Sequence, residues 1–208
     1  MNPIGPEQIL DRAWACRCFE QLPSGFGRPC GDHDLNPDLK PLRELIPAAV
    51  LVPLVNHPGG LTTLFTQRTA HLAHHAGQIS FPGGHMESGD ATPEETALRE
   101  TEEEIGLARR HVEILGRLDR YVTRTGFSVT PVVAVVEPPF DLAPDPHEVA
   151  NVFEVPLAFL LDPVNHLRHT RMFEGKERQF FAMPYGERYI WGATAGMLRN
   201  FYEIVIRR

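Results

Sequence analysis

The feature that most constrains this chain is the stretch ATPEETALRETEEEIGL at residues 91–107, which carries both end signals of a helix. Thr92 suits the N-cap, Pro93 suits the first turn, and Gly106 suits the left-handed residue at which helices end. Near its C-terminal end the helix places four acids in five consecutive positions: Glu100, Glu102, Glu103 and Glu104. Like charges at this spacing repel each other, and the helix dipole disfavours anions at that end. Such a helix is stable only where something compensates for the repulsion.

One face of the predicted helix gathers three of these four carboxylates. At about 100° per residue, Glu103 and Glu104 lie about 60° and 40° to either side of Glu100. No lysine stands four residues on to compensate, because Glu100 is followed at that spacing by Glu104. Two interpretations stay open from charge alone. The face is either a solvated acidic patch or a site for a hard cation such as Mg²⁺, Mn²⁺ or Ca²⁺, which prefer oxygen ligands.

Apolar runs on both sides of this helix predict the rest of the fold. Strands are expected at AAVLVPLVN, LTTLFTQR, GQISFPGG, VEILGRLDRYV, SVTPVVAVVEP, VANVFEVPL, RQFFAMPY and ERYIW, with NHPGG joining the first two as a hairpin. Further helices are expected at residues 6–20, in PLAFLL and in the closing ATAGMLRNFYEIVIRR. The pattern predicts the α/β class, with a mixed sheet flanked by helices on both faces.

The chain length fits one domain with an appended terminal element. It has 208 residues, of which 42% are hydrophobic, and this is enough for a substantial core. The stretch LPSGFGRPCGDHDLNPDLKP is rich in proline, glycine and aspartate, which is typical of a loop or linker. We therefore expect a helix and loop extension at residues 1–45 and the main domain at residues 46–208.

Charge and composition exclude several classes of protein. The formal net charge of −7 argues against a general nucleic-acid or membrane-surface binder. The sequence contains no run of 18 apolar residues, so no membrane span is predicted. The N-terminal residues lack the apolar run of a secretory signal. Three cysteines are typical of free thiols in a reducing compartment, so we expect a cytoplasmic protein.

Two other groups of metal-ligating residue types stand in the sequence. A zinc site is one hypothesis for the set Cys16, Cys18, Cys30 and His33, although the spacing is unusual and favours free thiols. A second group consists of His71, His74 and His75. Their spacing is not that of a zinc site, so we interpret these histidines as polar side chains of a loop.

The residues just before the glutamate helix extend its pattern. SFPGGHMESGD contains a Gly-Gly turn, and such a turn lets backbone groups approach a metal ion or a phosphate closely. Together with RETEEEIGL it resembles the signature of the Nudix hydrolases: a glycine, five residues, a glutamate, seven residues, then Arg-Glu-apolar-x-Glu-Glu-x-Gly-apolar. The second half matches at residues 99–107, with Thr101 at an apolar position. In the first half Asp90 replaces the glutamate six positions after Gly84, and eight residues separate it from Arg99, so the loop is one residue longer.

A narrower resemblance covers LFTQRTAHLAHHAGQISFPGG at residues 64–84. This stretch is similar to the one that precedes the signature in coenzyme A pyrophosphatases, which have the same lengthened loop. The subgroup shows an arginine, here Arg68, and a His-x-Gly-Gln-hydrophobic-Ser-Phe-Pro-Gly-Gly run, here residues 75–84. YIWGATAGML resembles the subgroup's closing segment, so the likeness runs from about residue 50 to about residue 198.

The resemblance implies a Nudix-type α/β/α sandwich that hydrolyses a pyrophosphate with Mg²⁺ or Mn²⁺. For this subgroup the substrate is coenzyme A or a derivative, and the products are 4′-phosphopantetheine and 3′,5′-ADP. One alternative is a Nudix pyrophosphatase of another nucleoside diphosphate derivative, such as ADP-ribose or a dinucleotide. A non-catalytic nucleotide-binding module is the other. The expected partner is a small nucleotide, with no nucleic acid and no membrane, and a homodimer stays open.

The resemblance also implies roles for single residues. The implied metal ligands are Glu100, Glu103 and Glu104 with the carbonyl of Gly84, while Arg99 is implied to orient the glutamates. Our candidate for the base that accepts the proton of the attacking water is Glu148, in DPHEVANVFEVPL. The alternative for Glu148 is a plain surface acid near a turn.

The expected substrate contacts precede the helix. Arg68 is a candidate for binding phosphate, because a guanidinium contacts phosphate oxygens bidentately, and the alternative is a surface arginine at the end of a strand. Gln78 and Ser80 alternate along a strand and either face the site or anchor the loop. For the adenine 3′-phosphate of coenzyme A, the candidates are Arg120 and Arg124, in RYVTRTGF.

Overall fold

The computed structural model describes residues 9–21, 29–39, 44–71 and 76–206. Within these ranges a nine-stranded sheet consists of β1 (Cys30–Gly31), β2 (Ile46–His57), β3 (Gly60–Arg68), β4 (Ile79–Ser80), β5 (Gly83–His85), β6 (Val112–Arg117), β7 (Tyr121–Val122), β8 (Phe127–Val136) and β9 (Val149–Pro156). A three-stranded antiparallel sheet, here called the small sheet, consists of β10 (Leu167–Phe173), β11 (Lys176–Tyr185) and β12 (Arg188–Trp191). The α-helices are α1 (Arg12–Glu20), α2 (Asp32–Leu35), α3 (Pro93–Ile105), α4 (Leu157–Leu160) and α5 (Ala193–Ile206).

The larger sheet mixes parallel and antiparallel strands. Its main path runs β1-β7-β8-β2-β3-β4, and β5, β6 and β9 pair with β2, β8 and β3. At the centre, β2 and β8 run parallel, with Ile46 opposite Phe127 and Val55 opposite Val136. The strands β2 and β3 form the predicted antiparallel hairpin. The mixed sheet expected from the sequence is confirmed.

Helices cover both faces of this sheet because its central strands are apolar on both sides. Along β2, Ala49, Leu51 and Val55 point to the face that packs against α3. The alternate residues Ala48, Val52 and Leu54 point to the other face. That second face packs against side chains of α1, α4 and α5. The result is the predicted α/β/α sandwich.

Helix α3 begins and ends where its sequence predicts. The Thr92 hydroxyl accepts a hydrogen bond from the amide of Glu95 at 3.2 Å. Gly106 has φ 70° in the left-handed region, and its amide donates to the carbonyl of Glu102. Thr101, which stands at an apolar position of the signature, is buried and donates its hydroxyl to the carbonyl of Ala97 at 2.6 Å. The buried hydroxyl is therefore satisfied within the helix, and the departure from the signature leaves the packing intact.

Several elements differ from the sequence prediction. GQISFPGG, expected as one strand, forms the two short strands β4 and β5. VEILGRLDRYV is two strands, β6 and β7, because Pro131 of β8 lies opposite the break and has no amide hydrogen to donate. LRHTRMF, for which no strand was predicted, is β10; most of its residues are polar and exposed, which hides the usual alternation. The predicted helix at residues 6–20 starts at Arg12, with Asp11 as its N-cap, and residues 6–8 lie outside the described residues.

The predicted N-terminal loop contains structure that packs on the main domain. Strand β1 pairs with β7 in parallel, and α2 follows it directly. Asn36 is buried and makes a two-way contact with Gln179: its side-chain amide donates to the Gln179 carbonyl at 3.0 Å, and its side-chain oxygen accepts from the Gln179 amide at 2.9 Å. Trp14 and Phe19 of α1 are buried in the core. The described part of residues 1–45 thus shares the core of the domain, and the boundary at residue 45 stays a prediction.

Within the described residues, every helix is too short or too polar to cross a lipid bilayer.

Replacing Asn36 with alanine should lower the free energy of unfolding by about 1–3 kcal/mol, because it removes the hydrogen bonds between this buried side chain and the backbone of β11. The measurement is urea unfolding of the variant and the wild type. The matched control is Gln179→Ala, since Gln179 contributes backbone groups to this contact and its side chain is exposed. Equal losses in the two variants would contradict the role given to the Asn36 side chain.

Candidate active site

A single guanidinium compensates for the crowded acids of α3. Arg99 Nη1 donates to Glu100 Oε1 at 3.0 Å and to Glu103 Oε2 at 3.0 Å. Its Nη2 also donates to the carbonyl of His85 at 3.0 Å, which ties α3 to the end of β5. Glu102 points away from this group and pairs with Arg109 at 3.2 Å. The sequence prediction that three of the acids share one face agrees with this arrangement.

Asp90, the aspartate in the lengthened loop, binds the same guanidinium from the other side. Arg99 donates from Nε to Asp90 Oδ1 at 3.1 Å and from Nη2 to Asp90 Oδ2 at 2.9 Å. The Thr96 hydroxyl and the Glu87 amide each donate to Asp90 Oδ2 at 3.0 Å. The Arg99 guanidinium, with help from these donors, holds the pKa of Asp90 well below its ordinary value. Asp90 therefore fixes the position of Arg99 and holds the loop against α3. The sequence alone did not define this role of Asp90.

Burial differs strongly among the three acids. The side chain of Glu104 is 8% exposed, that of Glu100 is 19% exposed and that of Glu103 is 60% exposed. Glu104 Oε2 accepts from the amide of Gly83 at 3.1 Å. Burial raises the pKa of Glu104 to about 7, and the nearby charges of Glu100 and Glu148 also raise it. Burial likewise raises the pKa of Glu100.

Gly84 lies against the Glu100 carboxylate. A β-carbon added at Gly84 would lie 2.5 Å from Glu100 Cδ, well inside van der Waals contact. Gly84 pairs with Ala49 in the short antiparallel contact of β5 with β2, so its backbone is fixed by the sheet. Only a residue without a side chain leaves room for the carboxylate here.

Glu148 comes to this site from the start of β9. The amide of Thr69 donates to the Glu148 carbonyl at 3.0 Å, which holds the backbone of Glu148 beside the end of β3. Its side chain is exposed, and its charge raises the pKa of both Glu100 and Glu104. The structure thus brings together the acids of α3 and the loop acid that the sequence singled out.

A cavity of about 510 Å³ contains the three expected substrate contacts. Arg68, Gln78 and Ser80 all line it. Arg68 also connects the cavity to α3, because its Nη1 lies 3.8 Å from Glu104 Oε1. Its Nε is buried and has no hydrogen-bond acceptor among the residues that the structure describes. A buried guanidinium nitrogen without an acceptor suits a phosphate oxygen.

The two arginines proposed for the adenine 3′-phosphate lie in different places. Arg124 lines the cavity, with its guanidinium carbon 3.7 Å from the centroid of the Phe173 ring. Arg120 is exposed and is not among the residues that line it. Ser80 also lies 3.3 Å from the Thr66 hydroxyl, so it anchors the strand as well as lining the cavity.

The donor set at α3 fits a hard cation, although its oxygens do not point to one common position in this structure. In the described ranges, no group of three histidine, cysteine or acidic side chains is gathered around one point. For Glu100 and Glu103 the reason is the ion pair that each makes with Arg99. The fit rests on the oxygen ligands and on the electrostatics. Burial and repulsion disfavour the charged forms of Glu100 and Glu104, and a bound cation would stabilise those charged forms.

The same finding bears on the other metal hypotheses. It includes the set Cys16, Cys18, Cys30 and His33, so the zinc hypothesis gains no support from the structure. Cys18 and Cys30 instead pack against the core. His71 is exposed. His74 and His75 lie outside the described residues.

The site combines acids on a helix, a glycine turn against them and an arginine that also lines the adjoining cavity. These features define a site for a metal-dependent hydrolase of phosphate compounds. The family model for the NUDIX domain matches residues 45–175, which is more than half of the chain. The Nudix hydrolase NudL of Pectobacterium atrosepticum is 39% identical over 168 residues, which cover 80% of this chain and 86% of that protein. NudL of Escherichia coli K12 is 40% identical over 154 residues, which cover 74% and 79%. The chain belongs to the Nudix hydrolase family.

A solved structure agrees on the fold. DR0079 from Deinococcus radiodurans matches with a TM-score of 0.50 and 14% identity, covering 79% of this chain and 89% of that one. At this identity the likeness bears on the fold alone. Family membership confirms the predicted enzyme class, whose members use divalent metals such as Mg²⁺ or Mn²⁺ and act on small nucleotides. Both NudL relatives are described as uncharacterized, so they leave the substrate of this chain undefined.

Asp90→Asn should destabilise the protein at neutral pH, because the substitution removes the charge that Arg99 binds. Arg99 depresses the pKa of Asp90, so its stabilising contribution is complete above the ordinary value near 3.8 and is lost as the pH falls below it. The difference between wild type and variant should therefore shrink on acidification. The measurement is urea unfolding at pH values from about 7 to about 3.

The control for this prediction is Asp141→Asn, because Asp141 is an exposed acid away from Arg99. That variant should unfold like the wild type at neutral pH. A difference between wild type and Asp90→Asn that stays constant through acid pH would contradict the ion pair as its cause.

Proposed function

We propose that this Nudix hydrolase cleaves the pyrophosphate of coenzyme A or its derivatives, giving 4′-phosphopantetheine and 3′,5′-ADP. One observation carries the proposal: the residues that resemble the coenzyme A subgroup line one cavity, and Arg68 connects that cavity to Glu104 of α3. Arg68, Gln78 and Ser80 are separated by up to twelve positions in sequence, yet all three line that cavity. Arg68 alone reaches towards Glu104, at 3.8 Å.

The proposed metal ligands are the acids of α3. Glu100, Glu103 and Glu104, with the carbonyl of Gly84, would hold Mg²⁺ or Mn²⁺. A bound divalent ion neutralises phosphate oxygens and lowers the pKa of a coordinated water. Arg99 holds two of the three acids by ion pairs, so its role is to position these ligands.

Arg68 is proposed to bind the substrate pyrophosphate. Its Nε is buried without an acceptor in the described part of the chain, and its Nη1 lies beside the most buried acid of the site. A phosphate there would accept from the guanidinium and also place its own charge next to the proposed ligands. Gln78 and Ser80 are proposed to line the path of the substrate along the same cavity wall.

Glu148 is proposed to accept the proton of the attacking water. It differs from Glu100 and Glu104 because its side chain is exposed, so it is open to water. Its charge nevertheless raises the pKa of both of those acids, which supports a position near them. The other three carboxylates are proposed as metal ligands. Glu148 is therefore the acid that is free to act as the base.

The substrate assignment predicts that the enzyme with Mg²⁺ or Mn²⁺ converts coenzyme A to 3′,5′-ADP and 4′-phosphopantetheine. Mass spectrometry of the products identifies the cleaved bond. ADP-ribose and a dinucleoside polyphosphate serve as competing substrates in the same panel. Rapid turnover of either one with none of coenzyme A would overturn the assignment and favour another Nudix pyrophosphatase. Binding of nucleotides without any turnover would favour a non-catalytic module.

A matched pair of glycine variants tests the proposed metal site. Gly84→Ala should fold normally, because the atoms its β-carbon meets are the flexible end of Glu100, but it should push that carboxylate aside. We expect a loss of at least about tenfold in kcat, or about 1.4 kcal/mol, and a smaller rise in melting temperature on adding MnCl₂.

The control is Gly89→Ala in the same loop, where an added β-carbon meets nothing within 4 Å. It should keep both the activity and the response to MnCl₂. If Gly84→Ala matched this control in both measurements, Glu100 and the Gly84 turn would have no part in binding the metal.

A further inference from the structure

The small sheet supplies a wall of the cavity, and this wall is basic. Arg171 of β10 and Arg178 of β11 both line the cavity. The two residues lie directly opposite each other in the antiparallel pairing of these strands. Like charges in directly opposed positions destabilise a sheet. Two opposed arginines on a cavity wall therefore indicate a position where an anion is expected.

The charged groups around this wall leave it net positive. Among the residues that the structure describes, the cavity lining contains four arginines, Arg68, Arg124, Arg171 and Arg178, and a single acid, Asp32. The whole chain has a formal net charge of −7, so the positive charge is concentrated here against the overall balance.

Two of the nearby acids already have partners. Asp32 accepts from the hydroxyl of Tyr121 at 2.8 Å and from the backbone amide of Arg124 at 2.7 Å. Asp38 pairs with Arg178 at 2.6 Å. For Arg171, the described residues provide no acid within ion-pair distance. Arg171 is thus the arginine of this wall whose charge is not compensated within the described structure.

Aromatic rings stand next to these arginines. Phe180 and Trp191 line the cavity with their ring centroids 5.3 Å apart in an edge-to-face contact. Phe173 lies on the same strand as Arg171 and contacts the guanidinium of Arg124. Ring surface beside guanidinium groups suits a nucleobase whose sugar carries a phosphate.

We propose that Arg171, together with Arg178 and Arg124, binds a phosphomonoester on the nucleoside end of the substrate, away from the bond that is cleaved. The subsite would make the enzyme prefer 3′-phosphorylated nucleotides to their dephosphorylated forms. The proposal rests on the proposed function, because it takes the nucleoside of coenzyme A to lie in this cavity. Arg171 is then a residue for specificity, while the acids of α3 perform the reaction.

Steady-state kinetics with coenzyme A and 3′-dephospho-coenzyme A test the subsite. Arg171→Ala should raise KM for coenzyme A about tenfold, which corresponds to about 1.4 kcal/mol, and leave KM for the dephosphorylated substrate and both kcat values unchanged. Arg171→Lys should recover part of the loss. The control is Arg168→Ala on the same strand, whose side chain lies 5.6 Å from the Phe181 ring and does not line this cavity. Equal rises in KM for both substrates, or no rise for either, would overturn the proposal.

A binding measurement separates this inference from the substrate assignment. Calorimetry should show that the wild type binds 3′,5′-ADP more tightly than 5′-AMP, and that Arg171→Ala removes the difference. If coenzyme A is not hydrolysed but this preference and its loss are observed, the proposed function fails and the phosphate subsite stands. If coenzyme A is hydrolysed and the wild type binds the two nucleotides equally, the subsite fails and the proposed function stands.

Discussion

The site depends on the contacts of the Arg99 guanidinium. Three carboxylates and a carbonyl surround it, and those carboxylates come from both the lengthened loop, at Asp90, and α3. A helix that carries glutamates at its C-terminal end is unfavourable by itself, because charge repulsion and the helix dipole act together. Arg99 reverses this balance and joins the loop to the helix in the same set of contacts. One side chain therefore offsets the repulsion at Glu100 and Glu103 and also positions these two acids.

The site remains electrostatically unfavourable where Arg99 does not reach. Glu104 is the most buried acid of the three, and it has the amide of Gly83 and a distant guanidinium as its partners in the described structure. Its pKa is raised to about 7, which means that burial disfavours the charged form in the absence of a cation. Proteins often keep such destabilising groups where function needs them. A buried acid of this kind is poorly explained as part of a solvated acidic patch, and this supports the proposed role of Glu104 as a metal ligand.

The sequence predicted the parts of this protein that depend on local chemistry. Both ends of α3 follow from Thr92 and Gly106, whose effects on the backbone need no tertiary contact. The role of Asp90 did not follow, because it binds Arg99 nine positions away across a loop of unusual length. Strand β10 was missed since most of its side chains are polar and exposed, which hides the alternation of a strand.

The opposed arginines of the small sheet were equally hidden, although the sequence holds one signal for them. Glu174 and Gly175 both have positive φ and form a two-residue turn, with Phe173 paired to Lys176. Counting outward from a turn of this type places Arg171 opposite Arg178. The turn residues Glu-Gly were present in the sequence, but without a predicted β10 they had no partner strand to bring into register.

The residues that define the type of reaction and several of the residues that line the cavity lie in different parts of the chain. The family match at residues 45–175 contains the acids, the glycine turn and Arg68, which together define the type of reaction. Several walls of the cavity lie outside that match, namely α2 and most of the small sheet, in β11 and β12. A fold hosts many functions, and specificity comes from the groups placed around the shared site. The contact of Asn36 with Gln179 joins these outer walls to each other, so the cavity is completed by segments that lie before and after the family match.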